Sequence, residues 1–194
     1  MSTKTPHVVG VVGSLRDASV TRTAIDHGIR AARQAGATTM MVDLREYEMP
    51  VYDADTDDAG DAEAIRAATR EADSVILGTP VYHGSYSSPL KTYLDYCGFD
   101  EFEHTTVGLL AVSGGRFPVT ALEHLRSVCR SLNAWVMPHQ AALPRSSQVF
   151  FDGGFVDEDL EDRVYSLGHK CVQYASIEPD PDSFESCENV GATD

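Results

Sequence analysis

His7-Val8-Val9-Gly10-Val11-Val12-Gly13 runs directly into Ser14-Leu15-Arg16. An unbroken apolar run of this length that stops at glycine reads as a strand buried on both faces, the kind found in parallel sheets covered by helices. Downstream, Ile25, Ile29 and Ala32 share one helical face in a stretch from about Ser19 to Ala35, which stops at Gly36. The alternation then continues. Strands are expected over Thr38 to Val42, Ser74 to Gly78, Thr106 to Val112 and Ala134 to Met137. Helices are expected over Asp61 to Ala72, from about Ser88 (capped by Ser88 and opened by Pro89), over Pro118 to Leu132 and over Glu158 to Ala175. Leu44 to Asp61 reads as a loop carrying Pro50 and an acidic run.

Strand and helix alternating five times imply an α/β three-layer sandwich, since parallel neighbours require a crossover and helices supply it. Five units in under 180 residues fit a doubly wound, five-stranded parallel sheet of order 2-1-3-4-5, flavodoxin-like, better than an eight-fold barrel. Residues 1–175 are expected to form this single domain. Residues 176–194, acidic and containing Pro179 and Pro181, read as a mobile C-terminal tail. In such sheets ligands lie beyond the carboxyl ends of the strands, so the loops after strands one, three and four are expected to carry the chemistry.

Composition removes several classes of function. The 194 residues hold 15 Lys and Arg against 30 Asp and Glu, a net charge of −15, which repels nucleic acid and anionic lipid. No apolar run approaches a membrane span and Met1 to Pro6 lacks a signal-peptide core, so the expectation is a cytoplasmic protein with no membrane partner. The acids are 18 Asp and 12 Glu, the bases 12 Arg and only 3 Lys. That skew resembles proteins of salt-loaded cytoplasm, and an ordinary acidic protein is the alternative. Cys97, Cys129, Cys171 and Cys187 are widely separated, with no Cys-x-x-Cys, and read as buried or free thiols, not metal ligands. In the acidic run, counting Asp53 as the first position puts Asp58 where a calcium loop needs glycine and Ala64 where it needs glutamate. No metal site is expected, and no nucleophile-elbow or zinc-protease motif occurs.

Three loop segments stand out. Gly13-Ser14-Leu15-Arg16-Asp17-Ala18-Ser19-Val20-Thr21-Arg22 combines a tight turn, the hydroxyls of Ser14, Ser19 and Thr21, free helix N–H groups and the charged donor Arg16, which together suit a phosphate monoester. It lacks the spacing of a dinucleotide fingerprint or a P-loop, and alone it reads equally as a capped turn with a surface arginine. Thr79-Pro80-Val81-Tyr82-His83-Gly84-Ser85-Tyr86 offers a wall for a flat polar ring, or else a turn with two core tyrosines. Ser113-Gly114-Gly115-Arg116 admits close approach of backbone to a ligand edge, or is a plain strand-to-helix turn.

Taken together, Gly13-Ser14-Leu15-Arg16 with Ser19, Val42-Asp43-Leu44-Arg45-Glu46-Tyr47 with Pro50, Thr79-Pro80-Val81-Tyr82 with Leu90-Lys91 and Asp95, and Gly114-Gly115 resemble the NADPH-dependent FMN reductase family over roughly residues 7–140. The resemblance implies an FMN-dependent oxidoreductase that passes hydride from NADPH or NADH to flavin, then electrons to free flavin, a quinone, an azo compound or a metal oxyanion. A flavodoxin-like carrier reduced by a protein partner is the competing reading. It also implies Ser14, Arg16, Ser19, Val20 and Thr21 at the FMN phosphate, Pro80, Val81, Tyr82, His83 and Gly84 along the ring, and Ser113, Gly114, Gly115 and Arg116 as a third wall. Thr21 stands where many members carry Asn. No residue is assigned an acid–base role, and Arg116 is a candidate for a 2′-phosphate. Lys91 and Asp95, four apart, read equally as a surface ion pair. A homodimer or homotetramer is expected on the helix from about Ser88 to Gly98, with Leu90, Leu94 and Cys97 facing the sheet and Tyr86, Tyr93 and Tyr96 forming an outer apolar stripe.

Overall fold

The computed structural model of the chain describes residues 4–56, 59–175 and 177. Five strands, β1 (His7–Val12), β2 (Thr38–Asp43), β3 (Ser74–Pro80), β4 (Thr106–Val112) and β5 (Trp135–Leu143), form one parallel sheet of order β2-β1-β3-β4-β5. Side chains alternate across it. Val9, Val11, Val75, Leu77, Val107 and Leu109 face one apolar layer. Against that layer pack α2 (Ala62–Arg70), α3 (Ser88–Tyr96), the short α4 (Phe99–Phe102) and α5 (Val119–Ser131). Val8, Val12, Ile76, Leu110 and Val112 face the other layer, covered by α1 (Val20–Gln34) and α6 (Glu158–Gln173). The doubly wound, three-layer architecture is the flavodoxin-like one read from the alternation.

Small residues set how closely the second layer approaches. A Cβ on Gly10 or Gly78 would lie 2.6 Å from Ile25, so α1 seats directly on the bare backbone of the sheet. Where α1 crosses α6, a Cβ on Gly168 would lie 2.1 Å from the Gly28 carbonyl oxygen. The two helices are therefore in backbone contact at that crossing.

Several boundaries differ from the sequence reading. Ser87, not Ser88, takes the N-cap position of α3, and its hydroxyl is spent elsewhere, donating to the Gly13 carbonyl at 2.6 Å. Strand β5 is longer than Ala134 to Met137, because a bulge opposite Gly108 absorbs Pro138 and pairing resumes at Gln140. As an edge strand it tolerates the missing proline N–H. A two-stranded ribbon, β6 (Phe150–Phe151) and β7 (Gly154–Phe155), turns through Asp152 and Gly153 and packs its phenylalanines on His27. The outer tyrosine stripe of α3 is corrected. Tyr93 is 1 % exposed and its hydroxyl bonds Thr69 Oγ1 at 2.8 Å, so it belongs to the core, while Leu90, Leu94 and Cys97 are buried as expected. Apart from Ile177, the acidic tail with Cys187 lies outside the described residues, as do Asp57 and Asp58.

Candidate flavin site

At the carboxyl end of the sheet the loops are joined by main-chain hydrogen bonds. The Gly13 N–H donates to the Gly78 carbonyl (2.8 Å), Val81 N–H to Val112 (2.8 Å), Ser113 N–H to Leu143 (2.9 Å) and Ser146 N–H back to Ser113 (2.9 Å). Thr79 Oγ1 accepts from the Ser87 N–H at 2.9 Å, within a buried network that includes the Ser87–Gly13 bond. Gly13 is required for this closeness, since a Cβ there would fall 2.9 Å from both the Gly78 oxygen and the Leu90 side chain. The loops thus form one rigid rim.

The rim encloses a cleft of about 290 Å³. From the first loop, Ser14, Arg16, Ser19, Val20 and Thr21 line it. Pro80, Val81 and Tyr82 form the facing wall, and Gly114 closes the third side. Ser14, Ser19 and Thr21 are buried, whereas Arg16 is exposed. Ser19 caps α1 by accepting from the Arg22 N–H at 3.1 Å, and the first-turn N–H groups of Val20 and Thr21 have no intrahelical acceptor. The Arg16 guanidinium makes no hydrogen bond or ion pair among the described residues. Unspent helix N–H groups, buried hydroxyls and a free guanidinium are the donor set a phosphate monoester needs, so the residues present fit the phosphate of FMN.

The remaining expected residues stand around the cleft without lining it. His83 (φ 49°) and Gly84 (φ 82°) are the central pair of a tight hairpin in which Tyr82 and Ser85 exchange main-chain bonds of 3.0 and 3.1 Å. Both central residues have positive φ, the geometry of a type I′ turn. His83 is therefore a turn-tip residue exposed to solvent, and Ser85 ties the hairpin to α5 through His124 Nδ1 at 3.0 Å. Buried Ser113 accepts from the Gly115 N–H at 3.1 Å and so shapes the glycine loop, while Gly115 and Arg116 are exposed beyond it. Lys91 and Asp95 form the surface ion pair.

Three further lining residues, Ala18, Val112 and Ser146, escaped the sequence reading. So did a brace beneath the first loop. Asp43, 4 % exposed at the end of β2, pairs with Arg22 Nε, and Arg22 also donates to the Asp17 carbonyl at 3.0 Å. Arg45 holds Asp17 from the other side at 2.6 Å. The signal was present in the Val42-Asp43-Leu44-Arg45 word, whose ion-pairing role only the fold reveals. A larger, more apolar groove of about 540 Å³ lies at the opposite end of β5, around Trp135 and Tyr174. It contains none of the phosphate donors.

Fold and cleft together define a flavodoxin-like protein with a cleft at the carboxyl end of its sheet whose donors suit a phosphate monoester. The profile of the NADPH-dependent FMN reductase family matches residues 6–148, and the chain belongs to that family. It is accordingly an FMN-dependent oxidoreductase with NAD(P)H as electron donor. An FMN-dependent NADPH-azoreductase of Staphylococcus saprophyticus is 38 % identical over 143 residues, covering 68 % of this chain and 76 % of that protein. One of Staphylococcus aureus is 49 % identical over 78 residues, 40 % of this chain and 42 % of that protein. The solved structure of an NADH:FMN oxidoreductase superposes with a TM-score of 0.73 at 22 % identity, covering 90 % of this chain and 92 % of that one, and supports the fold.

Proposed function

We propose that the cleft binds FMN through Ser14, Arg16, Ser19, Val20 and Thr21, and that the enzyme reduces a small acceptor of the azo or quinone class with electrons from NADPH or NADH. The observation that carries this reading is the unspent donor set around Arg16 beside an open wall. FMN held there would supply a two-electron hydride acceptor between the nicotinamide and the final acceptor. The residues supply placement. Arg16 and the α1 N-terminus fix the phosphate end, Pro80 to Tyr82 give a flat surface, and Gly114, with no atom within 4 Å of a built Cβ, leaves room for a ring edge. Tyr82, 50 % exposed, stands at the mouth, where a nicotinamide or an aromatic acceptor can pack. The names of the staphylococcal relatives support an azo acceptor.

No helix among the described residues is long and apolar enough to cross a membrane. Dependence on NAD(P)H and the buried, free Cys97, Cys129 and Cys171 support a cytoplasmic site of action. Exposed Leu15 and Val51, which share a shallow pocket with Ser88 and Pro89 of α3, support a homo-oligomer, to be read by light scattering as a multiple of 21.1 kDa. Steady-state rates with NADPH and an azo dye, a quinone and free FMN test the assignment. Parallel double-reciprocal lines with at least one of these acceptors are expected. Turnover only after addition of a protein reductase would instead make the chain a carrier.

A further inference from the structure

In a chain with twice as many acids as bases, arginines are expected to find carboxylates, and six of the twelve do among the described residues. Arg22, Arg30, Arg45, Arg66, Arg70 and Arg126 each lie within salt-bridge distance of one. At the carboxyl end of the sheet, Arg16, Arg116 and Arg145 are exposed, and none has a side-chain hydrogen bond or ion pair among the described residues. Arg16 is accounted for by the phosphate cradle. Arg116 and Arg145 are not.

The fold joins the two loops that carry them through the main chain. The Arg145 N–H donates to the Gly115 carbonyl at 2.8 Å, and the next residue, Ser146, bonds Ser113 at 2.9 Å while lining the cleft. Arg145 itself is held at φ 52°, ψ 58°, the left-handed region that glycine or asparagine adopts more cheaply than a long side chain. Its backbone thus sits in a sparsely populated conformation at the edge of a ligand cleft, where such outliers concentrate.

We infer that Arg116 and Arg145 form a second anion site, which takes the 2′-phosphate of NADPH and sets the preference for NADPH over NADH. The inference rests on the reading above that the cleft admits a nicotinamide nucleotide. A phosphate monoester is close to a dianion at neutral pH and offers several acceptor oxygens, which two planar guanidinium groups match in charge and geometry. The 2′-hydroxyl of NADH offers neither the charge nor the extra acceptors. Against a net charge of −15, unpaired arginines on one rim also give a polyanionic nucleotide a local place to land.

The test is calorimetric binding of 2′,5′-ADP and of 5′-AMP to the FMN-loaded enzyme in dilute salt, for wild type, Arg116→Gln, Arg145→Gly and the double variant. Arg145→Gly removes the guanidinium and relieves the left-handed backbone, so it is expected to fold. Wild type should bind 2′,5′-ADP about a hundredfold tighter than 5′-AMP, each variant should lose about tenfold for 2′,5′-ADP alone, and the double should lose the discrimination. The ratio of kcat/KM for NADPH over NADH should fall in step, with the NADH value and FMN affinity unchanged. Equal losses for both nucleotides, or no loss for either, overturn the inference while leaving the flavin reading intact. A wild-type holoenzyme reduced by neither NADPH nor NADH overturns that reading and this inference with it.

Discussion

Replacing Arg16 with alanine isolates the phosphate end of the cleft. The side chain is exposed and unpaired among the described residues, so its loss should leave folding stability within about 0.5 kcal/mol of wild type. Bound FMN is another matter, because a charge-assisted hydrogen bond to phosphate contributes about 1.5–3 kcal/mol, which corresponds to a weakening of about ten- to hundredfold. The hydroxyls of Ser14, Ser19 and Thr21 and the first-turn N–H groups remain, so binding should weaken without vanishing. Riboflavin lacks the phosphate and serves as the internal control. Parallel flavin-fluorescence titrations of both ligands should show FMN weakened and riboflavin unchanged, with Arg16→Lys intermediate because it restores charge without the planar fork. An equal loss for FMN and riboflavin, or none for FMN, would refute the assignment of the phosphate to this loop.

Asp43→Ala removes the carboxylate beneath the loop and leaves Arg22 without its partner, at a cost of about 1–3 kcal/mol for a partly buried pair. FMN should weaken more than riboflavin, with Asp43→Asn milder because it still accepts from the Arg45 N–H; identical titrations for both ligands would reduce the brace to a purely structural role. Gly168→Ala drives a methyl into the Gly28 carbonyl and should lower unfolding stability by about 1–3 kcal/mol, measured by denaturant midpoint; an unchanged midpoint would contradict the backbone contact of α1 and α6. Burial pushes the Cys97, Cys129 and Cys171 thiols up from 9.0 to about 12, so the folded state keeps protons that the unfolded state releases. Stability from these groups is full below pH 9 and falls above it by about 1.4 kcal/mol per thiol per pH unit until about 12. Peptide mapping after alkylation should find all three unmodified in native protein and labelled on unfolding, and rapid native labelling would show them accessible. The excess of acids should make stability and FMN retention rise between dilute buffer and about 1–2 M KCl, as the Debye length shrinks from about 10 Å to about 3 Å. A thermal midpoint that moves by only about a degree would leave salt adaptation without support.

The order of the sheet was legible because buried parallel strands leave unbroken apolar words, and His7–Val12 and Thr106–Val112 match their strands closely. Strand five was cut short at Met137 because Pro138 and His139 break the pattern, and nothing local announces that an edge strand bulges around them. Tyr93 was misplaced because a tyrosine at helical spacing looks the same whether its hydroxyl meets water or Thr69. Within the site, residues flanking the strand ends were readable as loop words. Ser146 was not, since only the main-chain bond to Ser113 brings it back to the cleft. The Asp43–Arg22 brace spans 21 residues, and no periodicity links its two ends. The Phe151-Asp152-Gly153-Gly154 turn was detectable in principle, as Asp-Gly between apolar residues is a hairpin signal.

The most direct measurement is anaerobic. Purified protein is loaded with FMN, freed of excess flavin and mixed with one equivalent of NADPH while the flavin's visible absorbance is followed. Prompt bleaching of the bound flavin, followed by return of colour on adding an azo dye or a quinone, is the result expected of a reductase that binds FMN in the Arg16 cleft. Protein that carries no flavin, or bound flavin that keeps its colour with NADPH and NADH alike, would contradict it.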